Sequence, residues 1–200
     1  MIFVITVTLC SFLQAVTGFG SGILIVTILS TIFDIKTIII PFISLYNILT
    51  NALNAYSYSS SINLRSYKKL ISWGILGSFI GSIVLIRYVD KDFLEKLIAL
   101  IIFIYLSNTL FKKLNFDGSK YHIINGLING LLSGSVGLGS VGIVISYNKL
   151  DKTQLKALVS IFCLASNIIT ILSYFFTSRY NLSIFKYFSF CIIPIFIMQK

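Results

Sequence analysis

Two short runs of small residues carry what chemistry this chain can offer. The first is Gln14-Ala-Val-Thr-Gly18-Phe-Gly20-Ser-Gly22 and the second is Ser133-Gly-Ser-Val-Gly137-Leu-Gly139-Ser-Val-Gly142. Both lie inside long apolar segments, where each interior glycine costs a helix roughly 1 kcal/mol relative to alanine. A cluster of them predicts a break rather than a continuous helix. A break frees the N–H groups that open the next half-helix, and the helix dipole is positive there. Two such ends facing each other form an anion site built from uncharged backbone. Gly18, Gly20, Gly22, Gly137, Gly139 and Gly142 are the candidate substrate contacts on this reading. Close helix crossing through Gly18 and Gly22, in the GxxxG manner, is the alternative.

Polar side chains in apolar surroundings extend the set. Asn47, Asn51 and Asn54 recur at helical spacing on one face of the segment 38–58, and Asn167, with Ser160 and Thr170, marks 155–177. An amide in lipid needs a hydrogen-bond partner, so such residues either tie helices together or face a substrate. Asn51 and Asn167 join the candidates, with Gln14 and Ser133 before the two breaks as weaker members.

Other chemistries are not supported. No Asp or Glu falls at the centre of an apolar segment, which removes an embedded carboxylate relay. His122 is the single histidine, and Cys10, Cys163 and Cys191 lie in apolar runs without a CxxC spacing. No metal site, cofactor or catalytic residue is expected, and the nucleotide-binding, HExxH and GxSxG patterns are absent. The chain is not expected to be an enzyme.

The elements that must position these residues follow from composition. The chain has 200 residues, 56% hydrophobic and 11% charged, against about 25% charged in an ordinary soluble domain. That excludes a soluble domain, a disordered chain and a disulfide scaffold, and it makes the lipid bilayer the solvent. Of the two architectures that satisfy a backbone in lipid, barrel-type alternation is missing, so the expected class is an all-α integral membrane protein, a polytopic helical bundle. A crossing needs about 20 apolar residues. Simple candidates are 38–58, 70–88, 93–111, 155–177 and 182–198, and the segments 2–33 and 121–147 are longer and glycine-broken. Met1 leads directly into apolar residues with no basic region before them, which argues against a cleaved signal peptide. Gly74, Gly77 and Gly81, and likewise Gly126, Gly130 and Gly134, have the spacing of close helix packing.

The chain also repeats itself. Gly18 and Gly20 align with Gly137 and Gly139, Lys36-Thr37 with Lys152-Thr153, Asn51 with Asn167, and Asn63-Leu64 with Asn181-Leu182, at offsets between 116 and 119. Two tandem copies within one transmembrane domain (1–200) are expected, the first about 1–113 and the second about 121–200. The second lacks a counterpart of 93–111 and is expected to be truncated.

The net charge of +10 comes from 16 Lys and Arg against 6 Asp and Glu. The basic residues lie in short loops, as topology signals rather than nucleic-acid contacts. If each glycine segment crosses once, the two faces carry equal numbers of basic residues. If each enters and returns as two half-helices, ten fall on the face of Lys68 and Lys112 and six on the other. The second arrangement makes that face cytoplasmic and the two copies inverted.

The run Leu13–Gly22, and the series Gly126, Gly130, Gly134, Gly137-Leu138-Gly139 followed by Leu150-Asp151-Lys152, resemble the two signatures of the sulfite exporter TauE/SafE family. Where that family often carries glycines followed by proline, this chain has Gly20-Ser21-Gly22 and Gly139-Ser140-Val141-Gly142. The resemblance implies a multi-pass permease of the inner cell membrane that exports sulfite, a sulfonate or a related sulfur-containing anion. A small anion and the bilayer are then its partners, with oligomeric state open. A non-transporting scaffold or inactive truncated remnant is the alternative.

Overall fold

The computed structural model describes residues 2–17, 21–88, 121–137, 139–177 and 183–198, with scattered positions between 92 and 107. The expected span 93–111 therefore lies largely outside the described residues. So do Gly18 and Gly20, and Asn181-Leu182 of the repeat alignment.

Every described element is a helix. The first glycine segment forms α1 (Ile2–Thr17) and α2 (Ser21–Leu29). A π-helical turn, Ile35–Ile39, then leads into α3 (Ile40–Tyr58). Asp34 opens that turn: its carboxylate accepts from the Thr37 amide at 2.8 Å and the Thr37 hydroxyl at 2.7 Å, as an N-cap does. Pro41 lies in the first turn of α3, directly after the π turn. A 3₁₀ turn, Ser59–Ser61, precedes α4 (Leu64–Tyr88). This helix begins ahead of the apolar run expected from residue 70, because Asn63 caps it: its side-chain oxygen accepts from the Arg65 amide at 3.1 Å. Arg65, Lys68 and Lys69 thus sit exposed on the first two turns.

The second glycine segment forms α5 (His122–Val136) and α6 (Gly139–Ser146). Gly137 ends α5 in the left-handed region at φ 73°, its N–H returning to the Leu132 and Ser133 carbonyls. Only glycine adopts this routinely, so the break is written into that residue. Asp151 precedes α7 (Lys152–Phe176), and α8 (Ser183–Met198) follows.

Contacts at known registers give the directions. The α5–α6 pair is an antiparallel hairpin: Gly142 lies against Asn129, the Ser146 hydroxyl is 3.4 Å from Asn125 Oδ1, and the Tyr147 hydroxyl is 2.7 Å from His122 Nδ1. α2 doubles back along α1 in the same way, because Phe33, just past α2, meets Phe3 in the first turn of α1 with ring centroids 5.4 Å apart. α3 and α7 are antiparallel. The Ser61 hydroxyl reaches the Thr153 carbonyl (3.5 Å) and Lys156 sits over the Tyr58 ring (5.7 Å) at one end. At the other end Pro41 and Leu45 share a crevice with Ile171, Tyr174 and Phe175.

α4 and α5 run parallel in backbone contact. The carbonyls of Leu70, Gly74 and Ser78 occupy the space that a β-carbon would need at Gly126, Gly130 and Gly134, in that order. Those of Leu127 and Leu131 do the same at Gly77 and Gly81. The helices can be this close only because the facing residues have no side chain. α8 lies along α1, its Tyr187 stacked on Phe3 at 4.8 Å.

The exterior is apolar as well as the core, and polar side chains are buried within it. Leu9, Phe12, Phe79, Ile80, Ile124, Ile128 and Phe190 face outward, while Asn47, Thr50, Asn51, Asn129, Ser133, Asn167 and Thr170 are buried. An apolar exterior with polar side chains turned inward is what a lipid solvent demands.

Candidate functional site

The two glycine breaks meet at the middle of α3. A β-carbon placed on Gly22 would stand 3.7 Å from the Gly137 carbonyl oxygen, 3.8 Å from Asn47 Nδ2 and 3.9 Å from Ile43 Cγ2. Asn47 Nδ2 donates to that same carbonyl at 3.5 Å. Next to it, the Tyr46 hydroxyl lies 3.2 Å from Ser11 Oγ and also hydrogen-bonds Ser21, fixing the first hairpin to α3. Hairpin tips, at opposite ends of the chain's first 140 residues, are thus held on adjacent residues of one helix.

Each tip brings two kinds of backbone group together. α2 and α6 start there and present N–H groups, while α1 and α5 end there and present carbonyls. A ligand between the tips meets donors and acceptors at once, with no fixed charge among the residues described at this point.

The other candidates stand as follows. Gly139 and Gly142 lie along the hairpin contact: a β-carbon on Gly139 would press on Ser133 Cβ (2.5 Å) and the Asn129 carbonyl (2.7 Å), and one on Gly142 would overlap Asn129 Oδ1. Ser133 is fully buried beneath α6. Asn51 lies one turn beyond Asn47 and donates to the Asn47 carbonyl at 2.8 Å, and Asn167 does the same to Cys163 at 2.7 Å. The antiparallel register of α3 and α7 sets Asn167 at the height of Asn47. Gly18, Gly20 and the side chain of Gln14 lie outside the described residues.

Two residues outside the candidate set belong to this region. Asn47 was visible on the Asn47, Asn51, Asn54 face, but only Asn51 has a partner in the repeat alignment. Asn129 is buried on α5, and the spacing of Asn125, Asn129 and Ser133 was the signal for it.

Buried asparagines between apolar-faced helices, with two broken segments converging at mid-length, fit a helical membrane protein. A family model described as Sulfite exporter TauE/SafE matches residues 3–198, nearly the whole chain. The chain belongs to the TauE/SafE family of membrane transporters. No curated protein matches it, and neither does any solved structure.

Proposed function

We propose that this chain is a multi-pass permease of the inner cell membrane that exports a small sulfur-containing anion, sulfite or a sulfonate, bound between the two hairpin tips. The observation that carries the reading is the approach of Gly22 to the Gly137 carbonyl beside Asn47. Distant breaks need not meet if glycines served helix packing alone.

In this reading the chain is two inverted copies, the first (about 1–113) opening with α1–α4 and the second (about 121–200) formed by α5–α8. Support comes from the shared order of hairpin, long helix and further helix, and from the pairings across them. The long helices α3 and α7 pair antiparallel. The helix that follows each long helix runs along the first helix of the other copy, α4 on α5 and α8 on α1. Both glycine segments are then re-entrant, dipping to mid-membrane and returning. Transport would rock one copy against the other around the tips.

The test is sulfite efflux from proteoliposomes holding the full chain. Wild-type protein is expected to release sulfite well above protein-free vesicles. Absence of flux from folded protein would favour a non-transporting role.

A further inference from the structure

Polar side chains of α3, α5 and α7 give donors to carbonyls of their own helices. Asn51 Nδ2 is held by the Asn47 carbonyl at 2.8 Å, Asn167 Nδ2 by Cys163 at 2.7 Å, and Asn129 Nδ2, on neighbouring α5, by Asn125 at 2.8 Å. A carbonyl only accepts, so each of these bonds fixes which end of the amide is nitrogen and leaves the oxygen for other partners. Four hydroxyls behave alike. Ser44 donates to Ile40 (2.9 Å), Thr50 to Tyr46 (3.1 Å), Thr170 to Ser166 (3.0 Å) and Ser173 to Ile169 (2.9 Å). The helices thereby take one donor from each of these side chains and leave acceptor lone pairs for other partners, while the Ser133 and Ser160 hydroxyls are buried without a partner among the described residues.

Two of these oxygens are conspicuous. Asn129 and Asn167 are 2% and 1% exposed, and the Oδ1 atom of each is buried without a hydrogen-bond partner among the described residues. Asn129 Oδ1 lies against Gly142 in the first turn of α6, the half-helix whose N–H groups open at the tip. Asn167 stands level with Asn47. An anion bearing no hydrogen would be repelled by these oxygens, while the N–H groups of α2 and α6 and Asn47 Nδ2 would attract it.

We propose that the transported species is a singly charged oxyanion that keeps one O–H. Its bare oxygens take the N–H groups at the tips, and its hydroxyl donates to an unpartnered amide oxygen, that of Asn167 or Asn129. The assignment rests on the transporter reading above. It makes the substrate its own proton carrier, so that coupled proton movement needs no carboxylate in the membrane.

The test is binding of sulfite to the purified full chain, followed by thermal stabilisation through the pH range in which hydrogen sulfite loses its proton. Apparent affinity for total sulfite is expected to fall about tenfold per pH unit above that ionisation. Methanesulfonate, singly charged but without an O–H, is expected to bind about tenfold or more weakly, with no pH trend. Asn167→Leu should flatten the sulfite profile and Asn167→Gln should restore it. A flat wild-type profile, methanesulfonate binding as tightly as hydrogen sulfite, or binding that requires sodium would overturn the assignment. If no anion binds at all, the transporter reading falls with it. If anions bind without this preference, only the protonated substrate falls.

Discussion

Asn47 and Gly137 are 90 positions apart in the chain and 3.5 Å apart in space, joined by a bond from the asparagine amide to the glycine carbonyl. That carbonyl belongs to the residue whose left-handed backbone ends α5. The bond therefore links the centre of one long helix to the point at which the second hairpin turns. Replacing Asn47 by Leu removes the donor and leaves a buried carbonyl unpaired, a cost of about 1–3 kcal/mol. Sulfite flux in proteoliposomes is expected to drop about tenfold or more. Asn51→Leu, which loses a bond made within its own helix, should lower flux less.

Gly22 separates function from packing. Its nearest neighbours leave ordinary contact distances of 3.7–3.9 Å for a β-carbon, so Gly22→Ala is expected to fold with an unchanged melting temperature. The added methyl group would nevertheless stand between the two tips, and flux should fall. Gly130 differs, because the Gly74 carbonyl already occupies its β-carbon space. Gly130→Ala must push α4 and α5 apart, at about 1–3 kcal/mol of overpacking. Thermal melting by size-exclusion chromatography reads both variants. If Gly22→Ala transports as wild type does, the tips are not the site.

Gly142 and Asn129 form a coupled pair. A β-carbon on Gly142 would overlap Asn129 Oδ1, so Gly142→Ala should destabilise the chain by about 1–3 kcal/mol. Shortening the facing side chain in the double variant Gly142→Ala/Asn129→Ala relieves the overlap. The double-mutant cycle is expected to show a favourable coupling of roughly 0.5–3 kcal/mol. Strict additivity would mean that α6 does not lie against α5 at this register.

The helices were legible because lipid imposes a simple rule: long apolar runs become helices, and clustered glycines interrupt them. Gly137 illustrates this, since a residue free to adopt positive φ marked the break from sequence alone. The boundaries of α3 and α4 were harder. Asp34 and Asn63 are caps, and their side-chain bonds add a π turn to one helix and a basic first turn to the other, which hydropathy does not register. Asn47 shares a legible polar face with Asn51 and Asn54, but nothing in the sequence singles it out. Its role depends on a carbonyl 90 residues away, and repeat alignment can only single out residues that have a counterpart. The orientation of the Asn129 and Asn167 amides was invisible for a similar reason, because the helix's own carbonyls decide it.

The hairpins also predict which loops share a face of the membrane. The Tyr67, His122 and Tyr147 rings cluster at one end of the bundle, with centroids 5.7 to 5.9 Å apart, and they bring the starts of α4 and α5 beside the end of α6. Exposed Lys69 and Lys149 flank this cluster, whereas exposed Ile32 follows α2 near Phe3, at the other end of α3. Single cysteines at Lys69, Lys149 and Ile32 can be labelled in sealed vesicles with an impermeant maleimide. The native Cys10, Cys163 and Cys191 are buried and should contribute little background. Lys69→Cys and Lys149→Cys are expected to react from the same side and Ile32→Cys from the opposite one. If the second glycine segment crossed the membrane once, it would put Lys69 and Lys149 on opposite faces. Labelling of those two positions from different sides would therefore refute the re-entrant hairpin and, with it, the meeting of the two tips at mid-membrane.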